Sequence, residues 1–124
     1  MGVEQYFFDT YALFAIVQGN SNYENYKENQ VIMTVFNLVE LYYQVLRDYG
    51  EKKAKEIYHH FEDCVIEIEE EVVSEAMNFR LAHKQKRLSY ADCIGYFCAK
   101  KNNILFLTGD MQFQNFENVE FVKA

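Results

Sequence analysis

The sequence predicts an α/β fold, a three-layer α/β/α sandwich around a short, mostly parallel sheet. Three observations carry that expectation. Short apolar runs of strand length alternate with longer segments of helical periodicity, the ordering that builds a parallel sheet. Half of the 124 residues are apolar, with ten Tyr and eleven Phe, which is ample for a packed core and argues against disorder. The length suits a single domain over residues 1–124.

Residues 5–8 (Gln-Tyr-Phe-Phe) form an aromatic run consistent with a first strand. Asp9-Thr10 then opens an apolar helical stretch, Tyr11 to Val17, that stops at Gly19-Asn20-Ser21-Asn22. Tyr23 to Asn29 is polar and suits a short exposed helix, and Val31 to Met33 is β-rich. From Phe36 to Tyr49 the apolar residues recur at helical spacing, and Gly50 supplies a C-cap. Lys52 to Phe61 predicts another helix. Cys64 to Ile68 alternates Val65/Glu67 against Ile66/Ile68, as a strand does. Glu70 to Lys86 is helical, with acids in its first turn and bases in its last. Ser89 to Lys101 continues as a helix. The four-residue apolar run Ile104 to Leu107, bounded by turn residues, suits a strand buried on both faces. A short helix over Met111 to Phe116 and a last strand over Val119 to Val122 complete the order.

Charge and cysteine content narrow the function. The formal net charge of −7 counts against a module that coats a phosphate backbone. It counts less against an enzyme whose cations arrive as bound metal. Cys64, Cys93 and Cys98 show no CxxC spacing, and the last two read as buried small hydrophobes in a reducing cytoplasm. Met1 to Tyr6 lacks the regions of a signal peptide and carries Tyr6 where a myristoylation motif wants Ser or Thr. No apolar run reaches the roughly 18 residues of a membrane span. The expectation is a soluble, cytoplasmic protein.

In open parallel sheets, ligands bind outside the carboxyl ends of the strands. Asp9 follows the first strand and Asp110 follows the strand at Ile104–Leu107, so both fall at that edge. Each also has a plain local reading, Asp9 as a helix N-cap and Asp110 as a turn residue. Asp92 stands at capping-box spacing from Ser89. Glu40 lies among apolar neighbours in mid-helix. With Asn37 and Gln44 it can equally form a solvated stripe. Jointly the four acids suggest a site for a hard divalent cation, because such ions take oxygen ligands and converged carboxylates otherwise repel.

Four segments carry a family likeness: Phe8-Asp9-Thr10, Asn37-Leu38-Val39-Glu40-Leu41, Leu88-Ser89-Tyr90-Ala91-Asp92 and Leu107-Thr108-Gly109-Asp110-Met111-Gln112-Phe113. In this order they resemble a PIN domain, the nuclease fold of VapC-type toxins and of stand-alone RNA-processing enzymes. The resemblance implies that Asp9, Glu40, Asp92 and Asp110 bind one or two Mg²⁺ or Mn²⁺ ions, supported by the Thr10 or Thr108 hydroxyl. It implies a metal-dependent endoribonuclease, a homodimer and, for a toxin-type member, an antitoxin partner. Two positions depart from many relatives. Tyr11 stands where they carry Ser, and Gln112 where they carry a further acid, which puts a fifth carboxylate and a second metal in question.

Hydrolysis of an RNA phosphodiester by metal-activated water is the chemistry this implies. Lys84, Lys86, Arg87, Lys100 and Lys101 are candidates for backbone contacts, or else solvated helix ends. Tyr23 and Tyr26, or Tyr42 and Tyr43, suit base stacking, or else a core or dimer interface. His59, His60 and His83 lack metal spacing and read as surface residues. Other phosphoryl enzymes fit less well: a dehalogenase-type phosphatase needs a second Asp where Tyr11 stands. The remaining alternative is a non-catalytic interaction module on the same fold.

Overall fold

A computed structural model describes residues 5–124; the reading of the first four residues lies outside them. Four strands, β1 (Gln5–Phe8), β2 (Gln30–Ile32), β3 (Leu105–Thr108) and β4 (Val119–Phe121), form one sheet in the order β2-β1-β3-β4. Every pairing is parallel. Phe7 lies between Ile32 and Phe106, and Phe106 is in turn paired with Val119. Five helices surround the sheet: α1 (Thr10–Val17), α2 (Val35–Tyr49), α3 (Glu51–Phe61), α4 (Glu70–Ala82) and α5 (Tyr90–Lys101).

Strand side chains alternate between faces, and that alternation makes two cores. Tyr6, Phe8 and Leu107 pack with α1, α2 and α3 through Leu13, Leu41 and Ala54. Phe7 and Phe106 pack on the opposite face with α4 and α5 through Ala76, Cys93 and Ile94. The three-layer α/β/α sandwich is therefore observed. Gly95 sets how closely α5 lies on the sheet, since a Cβ there would fall 2.7 Å from Phe7 Cε1. Among the described residues, no helix is long and apolar enough to cross a membrane.

Some expected elements differ. The segment 64–68 keeps its alternation, with Val65 in one core and Ile66 and Ile68 against the other. It forms no strand. A single parallel bridge joins Val65 to Met33, because β2 ends at Ile32 and α2 starts at Val35. The helix expected to run to Lys86 stops at Ala82, where the chain turns so that Lys86 N–H donates to the His83 carbonyl at 2.8 Å. Local propensity favours continuing the helix through the lysines, and tertiary contacts override it. The polar stretch after Asn22 is a 3₁₀ turn over Ser21–Tyr26, with Tyr23 fully buried rather than exposed. The last short helix is likewise one 3₁₀ turn, Met111–Phe113.

Candidate active site

The parallel order brings the C-terminal ends of β1 and β3 side by side, and Asp9 N–H donates to the Leu107 carbonyl at 3.0 Å across them. A cleft of about 810 Å³ opens beyond this edge. Asp9, Glu40, Asp92 and Asp110 all line it, so the four acids separated along the chain share one cleft.

Asp9 is buried and sits at the N-cap position of α1, yet its side chain makes no capping hydrogen bond. The capping explanation for Asp9 therefore fails. Its Oδ2 accepts the Thr108 hydroxyl at 2.6 Å, while its Oδ1 is buried without a hydrogen-bond partner. Burial, reinforced by the nearby charges of Asp92 and Asp110, holds its pKa well above the ordinary range.

Asp92 does cap its helix. The Ser89 N–H donates to Asp92 Oδ2 at 2.8 Å, and Asp92 N–H donates to Ser89 Oγ at 3.0 Å. Capping and cleft lining coexist, because α5 begins at the active edge. Burial, with the charges of Asp110 and Glu40, pushes its pKa up to about 6. Asp110 follows the tight turn at Gly109, where an added Cβ would collide with the Tyr11 ring and the Val122 carbonyl. Asp110 N–H donates to Thr108 Oγ1 at 3.1 Å, and Asp110 Oδ1 accepts the Gln112 N–H at 3.0 Å.

Glu40 is reached by a chain of bonds with one allowed direction. Asn37 Oδ1 accepts both the N–H and the hydroxyl of Thr34 at 3.0 Å. Asn37 Nδ2 then donates to Thr10 Oγ1 at 3.2 Å, and the Thr10 hydroxyl donates to Glu40 Oε1 at 2.7 Å. Thr34, Asn37 and Thr10 are buried, so this is no solvated stripe. Asn37 and Thr34 were missed as site residues. Their spacing, a hydroxyl residue three before a side-chain amide at a helix start, resembles a capping box and was the available signal.

The donor set fits a divalent cation. Each acid has one oxygen engaged by the bonds described, leaving its second oxygen outside them. A buried carboxylate oxygen without a donor is costly unless a positive charge meets it. Among the described residues, no three acidic, His or Cys side chains stand as a ready-made metal group.

Other expected contacts divide. Lys100 pairs with Glu117 at 2.8 Å and Lys101 with Glu69 and Glu71, at the far end of α5, so neither reaches the cleft. Tyr43 lines the cleft and is exposed, whereas Tyr42 packs edge-on against Tyr58, and the Tyr23 ring lies tilted against Tyr26. Cys93 and Cys98 are buried, and burial pushes both thiols up to about 11. The Tyr11 hydroxyl accepts the Ala124 N–H at 3.0 Å beside the cleft.

Comparison with known proteins bears on the fold and the family. A search of curated protein sequences finds no match. Solved structures do match at the level of fold. A chain of a toxin–antitoxin complex from Klebsiella pneumoniae superposes with a TM-score of 0.72 at 18% identity, covering 93% of this chain and 95% of that one. VapC20 of Mycobacterium tuberculosis, a sarcin–ricin-loop-cleaving toxin, gives a TM-score of 0.70 at 17% identity, with 92% and 98% covered. A chain of the VapBC2 complex of Rickettsia felis, bound to promoter DNA, gives 0.70 at 19% identity, with 96% and 99% covered. The family model of the PIN domain matches residues 6–119, and the chain belongs to the PIN domain family.

Proposed function

We propose that the chain is a divalent-metal-dependent ribonuclease in which Asp9, Glu40, Asp92 and Asp110 hold Mg²⁺ or Mn²⁺ and perform the chemistry. The observation that carries this reading is the buried, unbonded Oδ1 of Asp9 among four carboxylates lining one cleft. Family membership supports it, as does a fold shared with a toxin that cleaves the sarcin–ricin loop. A cation held by these four acids would supply Lewis-acid charge to the phosphate and lower the pKa of a bound water, the chemistry that hydrolysis near neutral pH needs.

The chain's own groups set up that chemistry. The Thr108 hydroxyl donates a hydrogen bond to Asp9 Oδ2 and the Thr10 hydroxyl donates one to Glu40 Oε1, so those two oxygens serve as acceptors. Asp9, Asp92 and Asp110 would hold the cation. Glu40, held by the Thr34–Asn37–Thr10 chain, either completes the set or orients the attacking water. Gln112 contributes no fifth carboxylate to the site, and one metal suffices for this account.

The chain further suits the toxin half of a toxin–antitoxin pair, acting as a homodimer in a reducing cytoplasm. Val35, Phe36, Val39, Tyr43 and Leu46 leave one side of α2 exposed and apolar, which supports contact with another protein. Mn²⁺-dependent cleavage of a mixed RNA pool tests the activity. Wild type is expected to cleave, and Asp9→Asn and Asp92→Asn to lose cleavage. Equal cleavage by all three proteins overturns the assignment.

A further inference from the structure

An acidic enzyme acting on a polyanion needs local positive charge beside its carboxylates. We infer that the segment 84–87 is a preformed phosphate-backbone subsite for RNA, clamped to the active edge by the Gln112 side chain. This rests on RNA being the substrate proposed above.

Gln112 makes the link with three bonds. Its backbone N–H donates to Asp110 Oδ1 at 3.0 Å. Its side-chain Oε1 accepts the Arg87 N–H at 2.6 Å, and its Nε2 donates to the Arg87 carbonyl at 3.1 Å. An amide is the side chain that can do both, since it carries an acceptor and a donor together; a carboxylate would face the Arg87 carbonyl with no proton to give. The residue that stands in place of a family acid therefore has a structural task of its own. It ties the backbone of a basic loop to the residue that follows β3.

The loop is held elsewhere too. Arg80 Nε donates to the Leu88 carbonyl at 3.0 Å, and its guanidinium lies 4.5 Å from the Tyr90 ring centroid. Lys86 Nζ lies 5.5 Å from the Phe116 ring centroid. Leu88 is buried, and Ser89, which lines the cleft, comes two residues after Arg87. The backbone is thus fixed while Lys84, Lys86 and Arg87 are exposed. Among the described residues, none of these three forms an ion pair, although the neighbouring cleft holds four acids. The other basic pair, Lys100 and Lys101, is spent on Glu117, Glu69 and Glu71. Cations on a pinned backbone, with no carboxylate of their own protein paired to them, are preorganised for an external anion.

The test uses the full chain carrying Asp92→Asn, so that binding is read without cleavage. The probe is a fluorescent, single-stranded RNA of mixed sequence, followed by anisotropy over a range of salt. Lys84→Gln with Arg87→Gln is expected to weaken binding about tenfold. It is also expected to flatten the plot of log affinity against log salt by about 0.7 per lost phosphate contact. Gln112→Leu is expected to weaken binding with the same change in salt dependence, which a merely structural loss would not produce. Lys100→Gln with Lys101→Gln is the control, with binding unchanged. Unchanged affinity and salt slope in the loop variant overturn the inference, including the case in which that variant instead loses an acidic protein partner. Binding lost through the loop variant, together with a wild-type Asp92 chain that cleaves no RNA with Mn²⁺, sustains the subsite and refutes the nuclease reading.

Discussion

At the C-terminal end of α5, Lys100 and Lys101 meet the carboxylates of Glu117, Glu69 and Glu71 and complement the helix dipole. At the N-terminal end of the same helix, Asp92 faces Asp9, Asp110 and Glu40, and among the described residues none of these four acids pairs with a Lys or Arg side chain. At both ends several charges from different elements come together. One end is neutralised in place, and the other accumulates like charge under burial until two of its acids are held above their ordinary pKa. Net charge cannot distinguish these regions; compensation can. The end that is electrostatically unsatisfied is the one that lines a cleft, and that is where a ligand of opposite charge gains most.

The strongest way to break this contrast is to neutralise the uncompensated end. Asp9→Asn removes a buried acid from among like-charged neighbours and is expected to raise the melting temperature of the metal-free protein at neutral pH. Mn²⁺-dependent RNA cleavage is expected to fall at least about a hundredfold, beyond the usual cost of losing a group that only orients a ligand. A variant both less stable and fully active contradicts the account.

A smaller effect is expected one step behind the carboxylates. Asn37→Leu strands Thr10 without its donor and Thr34 without its acceptor. That is expected to cost about 1–3 kcal/mol in denaturant unfolding. Mn²⁺ affinity is expected to weaken about tenfold to a hundredfold. Lowered stability with unchanged Mn²⁺ affinity makes Asn37 a structural residue only.

The acid pair also sets a pH dependence. Asp92 is raised from 3.8 to about 6, so between those values the folded state binds more protons than the unfolded state. Stability of the chelated protein therefore falls as pH rises through that window. Saturating Mn²⁺ is expected to reverse the trend, because the metal prefers the deprotonated carboxylates. Thermal unfolding across the window checks the sign, and a flat chelated profile contradicts it.

At the compensated end little should change. Lys100→Gln breaks an exposed ion pair and is expected to alter stability by less than about 1 kcal/mol, with RNA cleavage retained.

The legibility of the molecule follows the same division. The strands at 5–8 and 105–108 were readable because aromatic and apolar runs bounded by turn residues have few other uses. The strand expected at 64–68 was not, since alternation reports which side chains are buried and says nothing about whether a ladder partner extends alongside. The early end of α4 was hidden for a related reason. The bonds that pin 84–88 come from Gln112 and Arg80, and Gln112 lies 25 residues along the chain from Arg87. In the site, the four acids were readable as an ordered set whose members each had a local explanation. Asp92 keeps that explanation and Asp9 loses it. Asn37 was invisible because a polar residue three before a glutamate in a helix looks solvated until tertiary packing buries it.

Calorimetric titration of the wild-type chain and Asp9→Asn with Mn²⁺, in buffers of differing ionisation heat, bears most directly on whether the unsatisfied end is a metal site. Saturable binding with proton release at pH near 6, abolished by Asp9→Asn, is the predicted result. Absence of saturable binding, or identical isotherms for the two proteins, contradicts it.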